Sequence, residues 1–156
     1  MATKRMAIIA TKGALDMAYP PLILASTAAA LGWEVQVFFT FYGLQLLRKD
    51  LSGIASSPLA NPAMPMPVPM PVIVSVLPGM QAMATSMMKA KMKKKGVASL
   101  TELRDLCKEA DVKFIACQMT VDLFEFSRDD FIDGIEYGGA ATFMKFAGET
   151  DVCLFI

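Results

Sequence analysis

Hydrophobic positions along this chain fall into short unbroken runs, separated by helical stretches and by segments marked with glycine or proline. Met6-Ala7-Ile8-Ile9-Ala10 is the first run and ends at Thr11-Lys12-Gly13. It predicts a strand buried on both faces, as in a parallel sheet. A helical stretch follows to Leu31 and stops at Gly32, a residue suited to the left-handed turn that closes a helix. Pro20 and Pro21 lie inside it, so the turn around Asp16 is predicted to be separate or kinked, with the main helix beginning at the prolines. Trp33 to Thr40 alternates at first and then becomes wholly apolar, which predicts a second strand. Phe41-Tyr42-Gly43 and a short helix to Lys49 come next.

The middle of the chain has a different texture. No residue from Leu51 to Met88 is charged, and seven of the nine prolines fall between Pro58 and Pro78. Residues 58–71 therefore read as a Met/Pro-rich loop, with Pro62 to Pro71 extended and polyproline-like. Val72-Ile73-Val74-Ser75-Val76 predicts a third strand. A helix from about Gly79 to Lys95 carries Met80, Met83, Met87 and Met88, then Lys89, Lys91, Lys93, Lys94 and Lys95. Ser99-Leu100-Thr101-Glu102 is a capping box. The helix it opens places Leu100, Leu103, Leu106, Cys107 and Ala110 on one face. Lys113 to Cys117 predicts a fourth strand, and a short helix spans roughly Val121 to Phe126. A further turn begins at Ser127, Gly138-Gly139 precedes a helix ending at Gly148, and Val152 to Ile156 predicts a final buried strand.

Short apolar strands alternating with helices predict an α/β domain whose parallel sheet is covered on both sides. The length of 156 residues fits one domain, residues 1–156. Ligands in such sheets bind at the carboxyl ends of the strands. That rule singles out Thr11-Lys12-Gly13, Thr40 to Gly43, Ser75 to Gly79, and Cys117-Gln118-Met119-Thr120.

Composition narrows the function. Fifteen basic and fifteen acidic residues cancel, which argues against a nucleic-acid partner. The chain contains no histidine, so imidazole zinc sites, Ser-His-Asp triads and Cys-His dyads are excluded within one chain. Apolar residues reach 54% and charged ones only 19%, which predicts apolar surface covered by other subunits or by a membrane. Three cysteines in no metal-ligand spacing, with no signal peptide at the start, predict free thiols in a reducing cytoplasm and no metal. Gly134 to Gly139 does not match the dinucleotide pattern and there is no phosphate loop, so these glycines read as turn formers. No cofactor is implied; a flavin or nicotinamide oxidoreductase stands as a third reading, which the fold class permits but no phosphate loop supports.

Cys117 is the candidate nucleophile. It sits where a strand gives way to a helix, so free N–H groups and a positive dipole end can face its sulfur and lower its pKa. Lys12 would add positive charge if its strand lies close enough. The competing reading of Cys117 is a small buried thiol. Cys107, on its apolar helical stripe, and Cys153, between Val152 and Leu154, are read as core residues. Spacing gives no support for a Cys107–Cys117 disulfide, though a helix laid over the following strand would permit one. Asp122, Asp129, Asp130 and Asp133 read as caps and solvated groups rather than an acid–base pair. The Met/Lys helix has two readings. It lies on an anionic membrane surface, or its methionine face packs against another subunit. The second is favoured, because Val72 to Met88 offers at most 17 uncharged residues for a span.

Together these segments resemble the DsrE/DsrF/DsrH-like family, in its DsrE-like branch sometimes labelled peroxiredoxin-like, over essentially the whole chain. The resemblance rests on the opening strand with Thr11 to Asp16, on Phe38-Phe39-Thr40-Phe41-Tyr42-Gly43, and on Leu77-Pro78-Gly79-Met80. Phe114-Ile115-Ala116-Cys117-Gln118-Met119, Asp133-Gly134 and Gly138-Gly139 complete it. It implies a three-layer α/β/α sandwich with a mainly parallel five-stranded sheet, assembled as a homo-oligomer, commonly a trimer or hexamer. It also implies sulfur trafficking, a sulfurtransferase-like activity in which Cys117 holds sulfane sulfur as a persulfide or thiosulfonate. The sulfur then passes to a partner such as a TusA-like protein. Lys12, Gly13, Gln118, Met119 and Thr120 are the residues expected to meet the substrate. The nearest second cysteine is Cys107, ten residues upstream on a helix, so a two-cysteine mechanism is not implied. Two alternatives remain beside this reading: a non-catalytic oligomeric binding protein, or a scaffold docked peripherally on a membrane.

Overall fold

A computed structural model describes residues 2–58, 61, 63 and 66–156. Five strands form one sheet in the order β4-β3-β2-β1-β5, and every pairing in it is parallel. They are β1 (Arg5–Ala10), β2 (Glu34–Phe39), β3 (Lys113–Cys117), β4 (Glu136–Gly138) and β5 (Val152–Phe155). Among the described residues six helices accompany them: α1 (Leu15–Ala30), α2 (Val72–Ser75), α3 (Met80–Lys94), α4 (Leu100–Glu109), α5 (Gln118–Leu123) and α6 (Ala140–Ala147). Phe41–Leu47 and Arg128–Asp130 are 3₁₀ turns.

Alternation along the strands sorts side chains to two faces. Met6, Ile8, Ala10, Val35, Val37, Phe39, Phe114 and Ala116 point to the larger core, where α1 and α4 supply Leu22, Ala25, Leu103 and Cys107. Ala7, Phe38, Ile115 and Cys117 point the other way and are covered by Phe143 of α6. The result is a three-layer α/β/α arrangement with one thick and one thin outer layer.

Several sequence expectations are corrected by these contacts. Val72 to Val76 is not a strand: Val72–Ser75 is the short helix α2, with no buried residue. Ser75 to Gly79 therefore does not lie at a strand end. The true fourth strand in chain order is Glu136–Gly138, within the glycine-rich stretch read as a turn. Helix α1 runs unbroken through Pro20 and Pro21. Its first turn is pinned from outside, because the Leu15 N–H donates to the Ala55 carbonyl and the Asp16 carboxylate accepts from the Ser57 N–H and hydroxyl at 2.7 Å each. Pro21 is itself buried against the core.

The Ser99–Glu102 capping box is present as predicted. On α4, however, Leu106 is exposed and Arg104 is buried, its guanidinium donating to the Leu46 and Arg48 carbonyls. That arginine closes the end of the 3₁₀ turn that follows β2. Part of the 58–71 loop lies outside the described residues. Among the described residues no helix is long and apolar enough to cross a membrane.

Candidate functional site

The carboxyl ends of β1, β2 and β3 lie side by side, and tight backbone packing locks the first two together. A β-carbon on Gly43 would overlap the carbonyl of Ala10, and one on Gly13 would press on the carbonyl of Tyr42. These two glycines let the turn after β2 fold onto the end of β1. The Thr40 N–H also donates to the Ala10 carbonyl, at 3.1 Å.

Phe41 leaves β2 with φ of 48°, a left-handed conformation that is costly for a bulky residue. Two contacts hold it there. Its N–H donates to the Thr120 hydroxyl oxygen at 3.3 Å, and its ring meets Phe124 edge-on at 6.3 Å. Tyr42 stacks on the same Phe124 ring.

Cys117 ends β3 in extended backbone and the chain turns directly into α5. That junction brings the Met119 and Thr120 N–H groups and the Thr120 hydroxyl to its sulfur, and Thr40, just past the end of β2, adds its hydroxyl. The Thr40 and Thr120 hydroxyl oxygens are 3.2 Å apart. Burial pushes the Cys117 thiol up, but these four donors outweigh it and hold the thiol below its ordinary value. All four are neutral dipoles.

The sulfur does not lie open. Cys117 is 5% exposed, packed with Ala7, Phe38, Ile115 and Phe143, and the Phe143 ring stacks on Phe38 at 4.9 Å. Two surface hollows, one of about 1190 Å³ between α3 and α4, are lined by neither Cys117 nor Thr120.

The other predicted site residues are distributed as follows. Thr120 is fully buried beside the sulfur and Met119 is exposed. The Gln118 side chain turns away, accepting from Arg128 at 2.9 Å and donating to Asp122 at 2.7 Å. Lys12 is exposed at the end of β1, and β2 stands between that strand and β3. Gly13 packs on the turn after β2 rather than on the sulfur. Thr40 lies in the strand-end segment Thr40 to Gly43 but not among the residues expected to meet the substrate. Its signal in the sequence is a lone hydroxyl directly after the apolar Val37-Phe38-Phe39 end of β2.

The remaining cysteines differ from one another. Cys107 is fully buried, its S–H donates to the Leu22 carbonyl at 3.4 Å, and burial pushes its thiol up to about 11. Cys107 and Cys117 belong to cores on opposite faces of the sheet, and all three cysteines are free. Cys153 is exposed, contrary to its core assignment, because β5 is an edge strand and its Cys153/Phe155 face is not covered by α6. Among the described residues no group of three or more His, Cys, Asp or Glu side chains is placed to hold a metal ion.

Comparison with known proteins gives a consistent picture. A profile described as the DsrE/DsrF/DrsH-like family matches residues 2–155. The chain is 66% identical over 160 aligned positions to the sulfur carrier protein DsrE2 of Allochromatium vinosum (strain ATCC 17899), covering 100% of both chains. It is 34% identical to the uncharacterized protein YrkE of Bacillus subtilis (strain 168), over 99% of this chain and 98% of that one. Among solved structures it resembles the crystal structure of the ychN protein from E. coli. The TM-score is 0.55 at 12% identity, covering 99% of this chain and 100% of that one, which is a likeness of fold.

Proposed function

We propose a function from one premise: the chain belongs to the DsrE/DsrF/DrsH-like family. On this reading it is a sulfur carrier, a single DsrE-like domain over residues 1–156 that holds sulfane sulfur on Cys117. The observation that carries the proposal is the set of four neutral donors around the Cys117 sulfur, from Thr120, Thr40 and Met119. The name of the A. vinosum relative supports it.

The chemistry is two successive displacements. The Cys117 thiolate attacks the outer sulfur of a donor persulfide R–S–SH. A new S–S bond forms, the donor's own S–S bond breaks, and the donor leaves as a thiolate. Cys117 now carries –S–SH. An acceptor thiolate, such as that of a TusA-like carrier, attacks the outer sulfur and returns Cys117 to the thiolate. No net oxidation occurs in either step. With thiosulfate as donor the same attack on the outer sulfur also gives the persulfide, with sulfite as the leaving group; holding the whole thiosulfate as a thiosulfonate would require a two-electron oxidant, so the persulfide is the form proposed.

Burial of the sulfur shapes this exchange. A persulfide places the transferable atom about 2 Å beyond the buried thiol sulfur. The donors that lower the thiol's pKa equally stabilise the anionic sulfur after transfer. The free thiols persist in a reducing cytoplasm, where we place the reaction.

Thr120 gives a direct test. The folded Cys117 pKa lies below its ordinary value, so the thiolate accumulates at lower pH than on an ordinary cysteine. In a Cys153→Ser background, the alkylation rate of Cys117 against pH is expected to have its midpoint shifted upward by Thr120→Val. Thr120→Ser, which keeps the hydroxyl, restores the midpoint. Equal midpoints in all three chains would remove the hydroxyl from the account.

A homo-oligomer, trimeric or hexameric, is part of the same proposal. Parallel sheets are ordinarily covered on both faces, yet Phe155 is 74% exposed beside Cys153 on the thin layer. Light scattering is expected to give a multiple of the 16.9 kDa chain mass. Phe155→Glu is expected to lower that multiple, and a monomeric parent chain would contradict the assignment.

A further inference from the structure

Sulfur exchange requires Cys117 to come within reach of another sulfur, yet the residue is only 5% exposed. The sheet lies on one side of it, and the fully buried Thr120, with its hydroxyl 3.2 Å from that of Thr40, closes the side toward α5. Its remaining cover is the thin layer, where it packs with Ala7, Phe38, Ile115 and Phe143. Of these only Phe143 belongs to a helix rather than to the sheet.

That helix is lightly held. It carries the chain from β4 at one edge of the sheet to β5 at the other. The two edges lie four strand spacings, about 19 Å, apart, and eight helical residues give only about 12 Å of cover. Phe143 is the one buried residue of α6, whereas Ala140, Ala141, Thr142, Met144 and Lys145 are exposed. Its two ends differ. Beyond the carboxyl end Glu149 pairs with Arg5 at 2.9 Å, the Asp151 N–H donates to the Arg5 carbonyl, and the Arg5 guanidinium lies over the Phe146 ring. The amino end starts beside Cys117, which pairs with Gly138 in the sheet. It is entered through Gly138-Gly139 and has no side-chain cap among the described residues. An element joined to the body by so few buried apolar contacts opens locally, well below the free energy of global unfolding.

We propose that α6 is a gate over Cys117, with Phe143 as its latch. The helix pivots on the end clamped by Arg5, the Phe143 ring lifts from Phe38, and the sulfur is uncovered while the sheet stays folded. The purpose of the gate rests on the sulfur-carrier reading given above. The main core, with α1 and α4, lies on the opposite face and is not disturbed by the opening. Cys107, sealed in that core, therefore reports a different event: it becomes reactive only when the main core itself comes apart.

The test compares the rates at which iodoacetamide labels Cys117 and Cys107 in the Cys153→Ser chain, read by peptide mass spectrometry from zero to sub-denaturing urea. Cys117 is expected to label at least about a hundredfold faster than Cys107. Its rate should depend little on urea, because a local opening exposes little surface, whereas the Cys107 rate should rise steeply. Phe143→Ala is expected to raise the Cys117 rate about tenfold or more. Leu22→Ala, in the opposite core, should speed Cys107 and leave Cys117 unchanged. Equal rates and equal urea dependence at the two thiols overturn the gate, and that comparison stands even if a substituted chain fails to fold. So does a Cys117 rate that Phe143→Ala leaves unchanged, which would place the route to the sulfur elsewhere. Iodoacetamide carries no sulfane sulfur, so failure of the gate leaves sulfur uptake at Cys117 standing. A Cys117 that labels through the gate yet takes up no sulfur supports the gate and tells against the carrier reading alone.

Discussion

Cys117→Ser in a Cys153→Ser background is expected to abolish sulfur uptake, whereas Cys153→Ser alone gains about 32 Da per persulfide sulfur when incubated with polysulfide. The size of the effect follows from the three thiols' surroundings. Cys107 is sealed in the main core with its thiol pushed up to about 11, so it supplies almost no thiolate near neutral pH. Cys153 is exposed and reacts with added reagents without any built environment, which is why it is removed from both chains. Cys117 alone combines a lowered thiol pKa with donors set to hold an anionic sulfur. Intact-mass measurement reads the result directly. An undiminished adduct on the double variant would move the chemistry to Cys107 and sink the assignment.

The second large effect concerns the scaffold. Gly43→Ala is expected to destabilise the fold by about 3 kcal/mol or more, because the added methyl overlaps a backbone carbonyl that cannot rotate aside. For a chain of this length that is a fall in Tm of roughly 6–12 °C. The cause is not glycine's freedom in φ but the close approach of the turn after β2 to the Ala10 carbonyl, which also accepts from the Thr40 N–H. Displacing that turn moves Thr40 and the strained Phe41, and with them the hydroxyl pair beside Cys117. The variant is therefore also expected to raise the pH midpoint of Cys117 alkylation. An unchanged Tm and midpoint would show that the turn is free to shift.

What the sequence revealed of the fold depended on how strongly each strand is buried. β1, β2 and β3 are internal strands, and their apolar runs were readable as such. Val72 to Val76 carries the same signal, but nothing in a run of Val and Ile states whether a sheet has room for it. Here it ends as an exposed helical turn after a proline-rich loop. β4 was hidden for the opposite reason: three residues, Glu136–Gly138, at an edge and beside glycines give no periodicity to detect. In β5 the apolar letters of Val152 to Ile156 concealed an alternation in burial, since only an edge strand leaves Cys153 and Phe155 open while Val152 and Leu154 pack inward.

Legibility of the site was similarly uneven. Cys117 was identifiable from its place between a strand and a helix, and Thr120 came with it. Thr40 comes from a strand almost eighty residues earlier, so only the parallel pairing of β2 with β3 brings it to the sulfur. Lys12 follows a strand that β2 separates from β3, and sequence order alone does not show that separation.

The most direct measurement is to load the unaltered chain with a limiting amount of polysulfide near neutral pH and locate the sulfur by peptide mass spectrometry, before and after adding an acceptor thiol. The account predicts sulfur first on the peptide containing Cys117 and its disappearance on addition of the acceptor. Sulfur accumulating on Cys153 while Cys117 stays unmodified would contradict it.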